Sequence, residues 1–348
     1  MLAVGTPLCL ALALLWGFEP PETSAEIEVS ALADVRGITL STHRGNREWD
    51  SDQLAPTLAD LRAVGANWVA IHPYASVRSE GGVRRWETGD EAPSFLARPL
   101  RESRAAGLRL LVKPHLAYWG SPFAWRGEIE FQSDEAWNQF FAEYEEWIVD
   151  VARWSRGTDA FVVGTELDRT LHREADWRRI IERVRSVTDA PLTYAANWTD
   201  YQRVPFWDAL DAVGVQGYFP LSKEPSPTRR QIEEGWRQVA DTLGAFSRDV
   251  DKPVLFTELG YNRSLRAAAE PWSDDTDGPE AEALQLLCLE VALRTVEREE
   301  HLLGAFLWKW FLRPRSVGRD FQMASPAVQR LLRQSWKAAE VPPAAARP

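Results

Sequence analysis

Apolar residues in this chain fall into short, nearly continuous runs. Between them lie stretches in which apolar residues recur at helical spacing. The runs are RGITLSTH (36–43), NWVAIHPY (67–74), LRLLVKPH (108–115), DAFVVGTE (159–166), PLTYAANW (191–198), DAVGVQGY (211–218), KPVLFTEL (252–259) and LGAFLWKW (303–310). Runs of this length and composition suit strands buried on both faces. Leu54, Leu58, Leu61 and Val64 mark one amphipathic helix, and Trp137, Phe140, Phe141, Tyr144, Trp147, Ile148 and Val151 a long one. Trp177, Ile180, Ile181 and Val184 mark a third, and Ile232, Trp236, Val239, Leu243 and Phe246 a fourth. Gly278-Pro279-Glu280 and Ser325-Pro326 read as helix starts with proline at the first helical position. The link YQRVPFWDAL is the least regular and predicts one short helix.

Eight β-runs alternating with helices predict an α/β fold, a parallel sheet closed into a single-domain (β/α)8 TIM barrel over residues 26–340. An open doubly wound sheet usually has fewer strands and often a Gly-rich phosphate turn after the first. THRGNREWD is no such turn. The tail VPPAAARP (341–348) is expected to be disordered.

Composition narrows the function classes. With 348 residues, 45% of them hydrophobic and 26% charged, the chain can bury a large core. Its net charge of −11 disfavours a nucleic-acid backbone or an anionic membrane as partner. Seventeen Trp supply flat apolar faces; those at strand ends or in loops are candidates for stacking on sugar rings.

The segment Leu8–Trp16 is apolar but too short to span a bilayer comfortably. It reads as the core of a secretory signal covering residues 1–25, with cleavage after Ala25, although no Lys or Arg precedes it. A lipoprotein attachment at Cys9 fits less well, because Leu8 is not small. The mature chain is expected in the periplasm or outside the cell, with no stable membrane insertion after cleavage. Cleavage leaves Cys288 alone, which excludes a disulfide framework; its setting LQLLCLEVAL reads as a buried helix face.

In a barrel of this type chemistry gathers at the C-terminal strand ends. In order they carry His43; His72-Pro73-Tyr74; His115, with Trp119 beyond; Glu166; Asn197-Trp198; Gln216 and Tyr218; Glu258; and Trp308 and Trp310. Glu166 and Glu258 close the fourth and seventh strands in matching contexts, GTELD and FTELG. A single glutamate there would read as a solvated carboxylate. Two of them, converging over one mouth, have the chemistry that cleaves a glycosidic bond: one protonates the leaving oxygen, and the other attacks the anomeric carbon or activates water.

The stretches VVGTELDRT, VLFTELGYN and GAFLWKW are similar to the fourth, seventh and eighth strands of clan A glycoside hydrolases. The likeness is closest to glycoside hydrolase family 113, the β-mannanase family, and extends to WVAIHPYAS and DFQMASPAVQRLL, covering most of residues 36–336. The resemblance implies a retaining hydrolase of a β-linked glycan, with mannan favoured, Glu166 as acid/base and Glu258 as nucleophile. Many clan A members carry Asn before the acid/base to hold the sugar 2-OH; here that residue is Thr165.

Further substrate-binding candidates are His72 and His115 as donors to sugar hydroxyls, and Trp308 as the floor under the sugar being cleaved. With Thr165 in the place of that Asn, Asn197 or a histidine is the candidate for the 2-OH contact. Trp119, together with Trp125 and Trp198, is a stacking face for neighbouring sugars. Tyr218 is placed to bond Glu258, and Asp168-Arg169 is an adjacent pair that could tune Glu166. No metal or organic cofactor is required by this chemistry. Two rival readings use the same residues: a metal-dependent hydrolase with His43, His72 and His115 as ligands, and a non-catalytic glycan-binding barrel.

Overall fold

The computed structural model describes residues 32–336 except 44, 275–277 and 314–320, so the expected signal and tail lie outside the described residues. Eight parallel strands form a closed ring: β1 (Val35–Ser41), β2 (Trp68–Ile71), β5 (Arg109–Val112), β7 (Ala160–Thr165), β8 (Leu192–Asn197), β9 (Ala212–Gln216), β10 (Val254–Leu259) and β11 (Leu302–Phe311). The ring closes where β1 meets β11, with Val35 opposite Gly304 and Ser41 opposite Phe311. The expected (β/α)8 barrel is therefore present.

Strand alternation builds two cores. Trp68, Ala70, Leu111, Val162, Ala195, Leu255 and Phe306 fill the barrel interior. Their neighbours Val69, Ile71, Val112, Val163, Ala196 and Phe256 face outward against the helices, as the period of two requires.

The helices are α1 (Leu54–Ala63), α2 (Ser94–Ala105), α3 (Asp134–Trp154), α4 (Glu174–Arg185), α5 (Arg229–Val250), α6 (Pro279–Arg298) and α7 (Pro326–Ser335). The four helices read from apolar spacing are all there, and α6 and α7 begin at the expected prolines. A capping box between Thr228 and Gln231 starts α5. Cys288 is buried in α6, where burial pushes its thiol up. No helix among the described residues is long and apolar enough to cross a membrane.

Three expectations need correction. The runs 67–74 and 108–115 are not single strands. Each leaves the barrel ladder at a proline, Pro73 and Pro114, which has no N–H to donate. Beyond it the chains pair again, as β3 (Tyr74–Val77) and β6 (His115–Ala117), with Tyr74 opposite His115. With β4 (Val83–Arg84) they make a small sheet standing on the rim. The β8–β9 link holds two 3-10 turns, Tyr201–Arg203 and Trp207–Ala209, in place of one short helix. Helix α2 escaped the sequence pattern because Pro99 lies inside it and only Phe95, Leu96 and Leu100 are large apolar residues among its twelve.

The described chain starts and stops at the base, the face opposite the strand C-terminal ends. A cavity of about 340 Å³ there is lined by Asp34, Arg36, Leu302, Gly304 and Trp336. Arg36 pairs with Asp34 at 3.1 Å.

At the opposite end, Gly164 precedes the Thr165-Glu166 strand terminus. A Cβ at Gly164 would lie 2.6 Å from Trp177 and 2.8 Å from Tyr194, both fully buried. Gly164→Ala is therefore expected to lower stability by about 1–3 kcal/mol through overpacking. A urea midpoint equal to wild type would show that the two rings yield freely.

Candidate active site

Glu166 immediately follows β7 and has φ 49°, the left-handed region that a non-glycine residue rarely adopts. Two bonds fix the turn. The Glu166 amide donates to the Ala195 carbonyl at 2.8 Å, and the Leu167 amide donates to the Tyr194 hydroxyl at 2.8 Å. Glu258 lies within β10 opposite Gln216 and is buried.

Each Glu258 oxygen accepts a bond. Tyr218 donates its hydroxyl to Oε2 at 2.5 Å. Lys113, fully buried just past β5, donates its ammonium to Oε1 and to the Thr257 carbonyl at 3.1 Å. Glu166 has its own cation: Arg126 Nη1 lies 3.3 Å from its Oε2, and the carboxylate side chain is 16% exposed.

Burial raises the Glu166 pKa to about 7. Arg126 and Lys113 oppose the rise, and the charge of Glu258 adds to it. The two carboxyl groups therefore act on each other across one mouth, one poised to carry a proton and one ion-paired. Asp168 is a second buried acid. Desolvation, then Asp200 and Glu166, push it up to about 8.

His72 and His115 stack with ring centroids 5.0 Å apart. Burial first, then the nearby cations, depresses both well below the usual imidazole range, so they are neutral at pH 7. His72 Nε2 shares a 2.8 Å bond with Ser41 Oγ, while His72 Nδ1 and both His115 nitrogens are buried without a protein partner. His115 Nε2 is 3.8 Å from Glu258 Oε1. Trp308 lies against His72 at 5.3 Å and His115 at 5.9 Å, and Lys113 Nζ is 4.9 Å from its ring centroid.

Other predicted residues sit on the rim. Trp119 is 66% exposed and 5.5 Å from Tyr74. Asn197 ends β8, but its Oδ1 accepts from the Thr199 amide at 3.1 Å and hydroxyl at 2.9 Å, an Asx-type turn. Trp198 packs 6.2 Å from Trp272, which is 48% exposed, with planes 20° apart. Trp125 covers Gly127, where an added Cβ would meet its ring at 2.1 Å, and so has a packing role. The suggested Asp168–Arg169 pair does not form: Arg169 pairs with Glu130, and the guanidinium acting on Glu166 is that of Arg126.

The three histidines read as possible metal ligands do not converge. His43 stacks on Phe311 at 4.0 Å, and no cluster of three His, Cys, Asp or Glu among the described residues has metal-binding geometry.

Sequence reasoning missed Lys113 and Arg126. The first left a signal, a lone cation at the end of the apolar run LRLLV. The second stands in a loop with no pattern around it.

A parallel eight-stranded barrel with two carboxyl groups at its C-terminal mouth has the groups that glycosidic bond cleavage requires. The model of glycoside hydrolase family 113 matches residues 38–318, and the chain belongs to that family. It is similar to the GH113 β-mannanase AaManA from Alicyclobacillus acidocaldarius in complex with ManMIm, at 24% identity and TM-score 0.74, covering 88% of this chain and 98% of that one. A GH113 β-1,4-mannanase in complex is 20% identical, with TM-score 0.75 and coverage of 88% and 99%. A Faecalibacterium prausnitzii β-glucuronidase shares the fold at TM-score 0.58 and 14% identity, covering 89% of this chain and 49% of its own. No functionally curated protein matches the chain.

Asp168 yields a pH test. Its folded pKa, about 8, lies above the unfolded value near 3.8. Between those values the unfolded chain has released the proton and the folded chain has not, so stability falls as pH rises. Asp168→Asn removes this penalty and should stabilise the protein by about 1–3 kcal/mol at pH 7 and hardly at pH 4. Destabilisation at pH 7 would mean that the carboxyl is held charged.

Proposed function

We propose that this family 113 hydrolase is a retaining endo-β-1,4-mannanase, with Glu166 as acid/base and Glu258 as nucleophile. The observation that carries the reading is the contrast between the two carboxyl groups: Glu166 is raised to about 7 by burial, and Glu258 is held by Lys113 and Tyr218. Opposed environments of this kind separate acid from nucleophile.

In the first step a Glu258 oxygen bonds to the anomeric carbon, the glycosidic C–O bond breaks, and the Glu166 proton passes to the leaving oxygen. Water then attacks the anomeric carbon and gives a proton to Glu166, and Glu258 leaves as a carboxylate. The partnerless nitrogens of His72 and His115 are suited to the hydroxyls of the cleaved sugar, and Trp308 to its apolar face.

Mannan is the preferred substrate because solved members of the family carry that activity in their names. Attack within the polymer is favoured by exposed indoles well separated around the rim, Trp119 beyond β6 and Trp272 beside Trp198. The apolar segment Leu8–Trp16, read as a secretory signal, supports export to the periplasm or medium.

Purified protein should depolymerise β-mannan or glucomannan faster than xylan or β-glucan. Glu258→Gln should reduce kcat by more than about 10³-fold. Glu166→Gln should lose about 10²–10⁴-fold on mannan while still being glycosylated by aryl mannosides with acidic phenol leaving groups. Near-normal turnover by Glu258→Gln would refute the assignment. Because Glu166 must be protonated to start, kcat/KM should fall as pH rises through about 7.

Trp272→Ala should raise KM on mannohexaose and leave an aryl β-mannoside unaffected. Equal effects on both would place the indole outside the cleft.

A further inference from the structure

Lys113 touches the proposed nucleophile, yet the two chemical steps give it no proton to move. Its side chain is fully buried. Thr257 carbonyl, Glu258 Oε1 and the face of Trp308 surround the ammonium, one acceptor for each of its three N–H groups. A buried ammonium needs an anion, and the first chemical step removes this one by turning Glu258 into an ester.

The same step creates another anion. Glu166 gives its proton to the leaving oxygen and becomes a carboxylate. One negative charge thus moves from Glu258 to Glu166 while the total stays constant.

We infer that Lys113 is a positioning residue whose fixed positive charge serves both carboxylates in turn, holding Glu258 for attack and then stabilising ionised Glu166 as the base for water. This rests on the acid/base and nucleophile roles given above. Several groups face the pair. Glu166 comes from the end of β7 and Arg126 from the loop after β6. His115 is on β6, His72 follows β2, Tyr218 follows β9 and Lys309 is on β11. The histidines are neutral and burial keeps the Tyr218 phenol protonated, so they cannot take over as cations or anions. Lys113 and Glu166 follow neighbouring strands, β5 and β7, whose ends are tied by the Thr165 hydroxyl donating to the Pro114 carbonyl at 3.1 Å; Arg126 is already placed on Glu166, at 3.3 Å. The attraction of Glu258, and after it of Glu166, opposes the burial that lowers the Lys113 pKa.

The test uses Glu258→Gln, which leaves position 258 neutral as the ester does. Lys113→Met alone would strand a buried carboxylate, so the decisive comparison is Glu258→Gln against the double variant Lys113→Met/Glu258→Gln. That double variant removes both charges together and preserves the packing. Glu166 is followed by side-chain ¹³C NMR titration, assigned with Glu166→Gln.

In Glu258→Gln it should ionise well below about 7. In the double variant its midpoint should lie about one pH unit or more above that of the single variant. Coincident midpoints overturn the inference, whatever the substrate proves to be.

Inactivity of wild type on every β-mannoside would instead refute the substrate assignment and leave the titration result standing.

Discussion

Pairing of the first barrel strand with the last is the constraint on which the site depends. With β1 hydrogen-bonded to β11, the strand ends are held in a ring. The ends of β7 and β10 then face one another across the mouth although Glu166 and Glu258 are far apart in the chain. An open sheet of the same strands would leave those ends in a row. Interior side chains such as Trp68, Val162 and Phe306 fill the ring and hold its shape, so that carboxyl placement is inherited from packing below the site.

Onto that frame the chain adds an arrangement of charge. Glu258 receives a cation and a phenol, and Glu166 receives a guanidinium. Neutral His72 and His115 line the same mouth, with buried nitrogens that the protein itself leaves unbonded. A site of this type is unstable locally and useful chemically: it buries charge and unpaired polar atoms that a substrate with many hydroxyl groups can satisfy. The left-handed backbone at Glu166 belongs to the same pattern, a strained residue held by the Tyr194 hydroxyl and the Ala195 carbonyl around it.

What the sequence revealed, and what it hid, divides along physical lines. The eight strands and four of the helices were legible because burial imposes a period on apolar residues. Glu166 and Glu258 were legible because an acidic residue closing an apolar strand is conspicuous, and because the barrel fixes where strand ends meet. The Tyr218–Glu258 bond followed from neighbouring strand ends. Lys113 showed itself only as an oddity, since its partner is 145 residues away. Arg126 had no local pattern at all. Asp168 and Arg169 show the converse error: adjacency in sequence suggested a pair, but the turn sends Arg169 to Glu130 and leaves Asp168 buried. The prolines after β2 and β5 were visible letters whose effect, a second small sheet on the rim, depends on two strands breaking at the same level.

The base of the barrel has an architectural implication. Leu32 and Trp336, the ends of the described chain, lie by the N-terminal edges of β1 and β11 and the cavity between them. Changes to the sequence at either point therefore fall on the face remote from Glu166 and Glu258, and leave the mouth between the two carboxyl groups as it is.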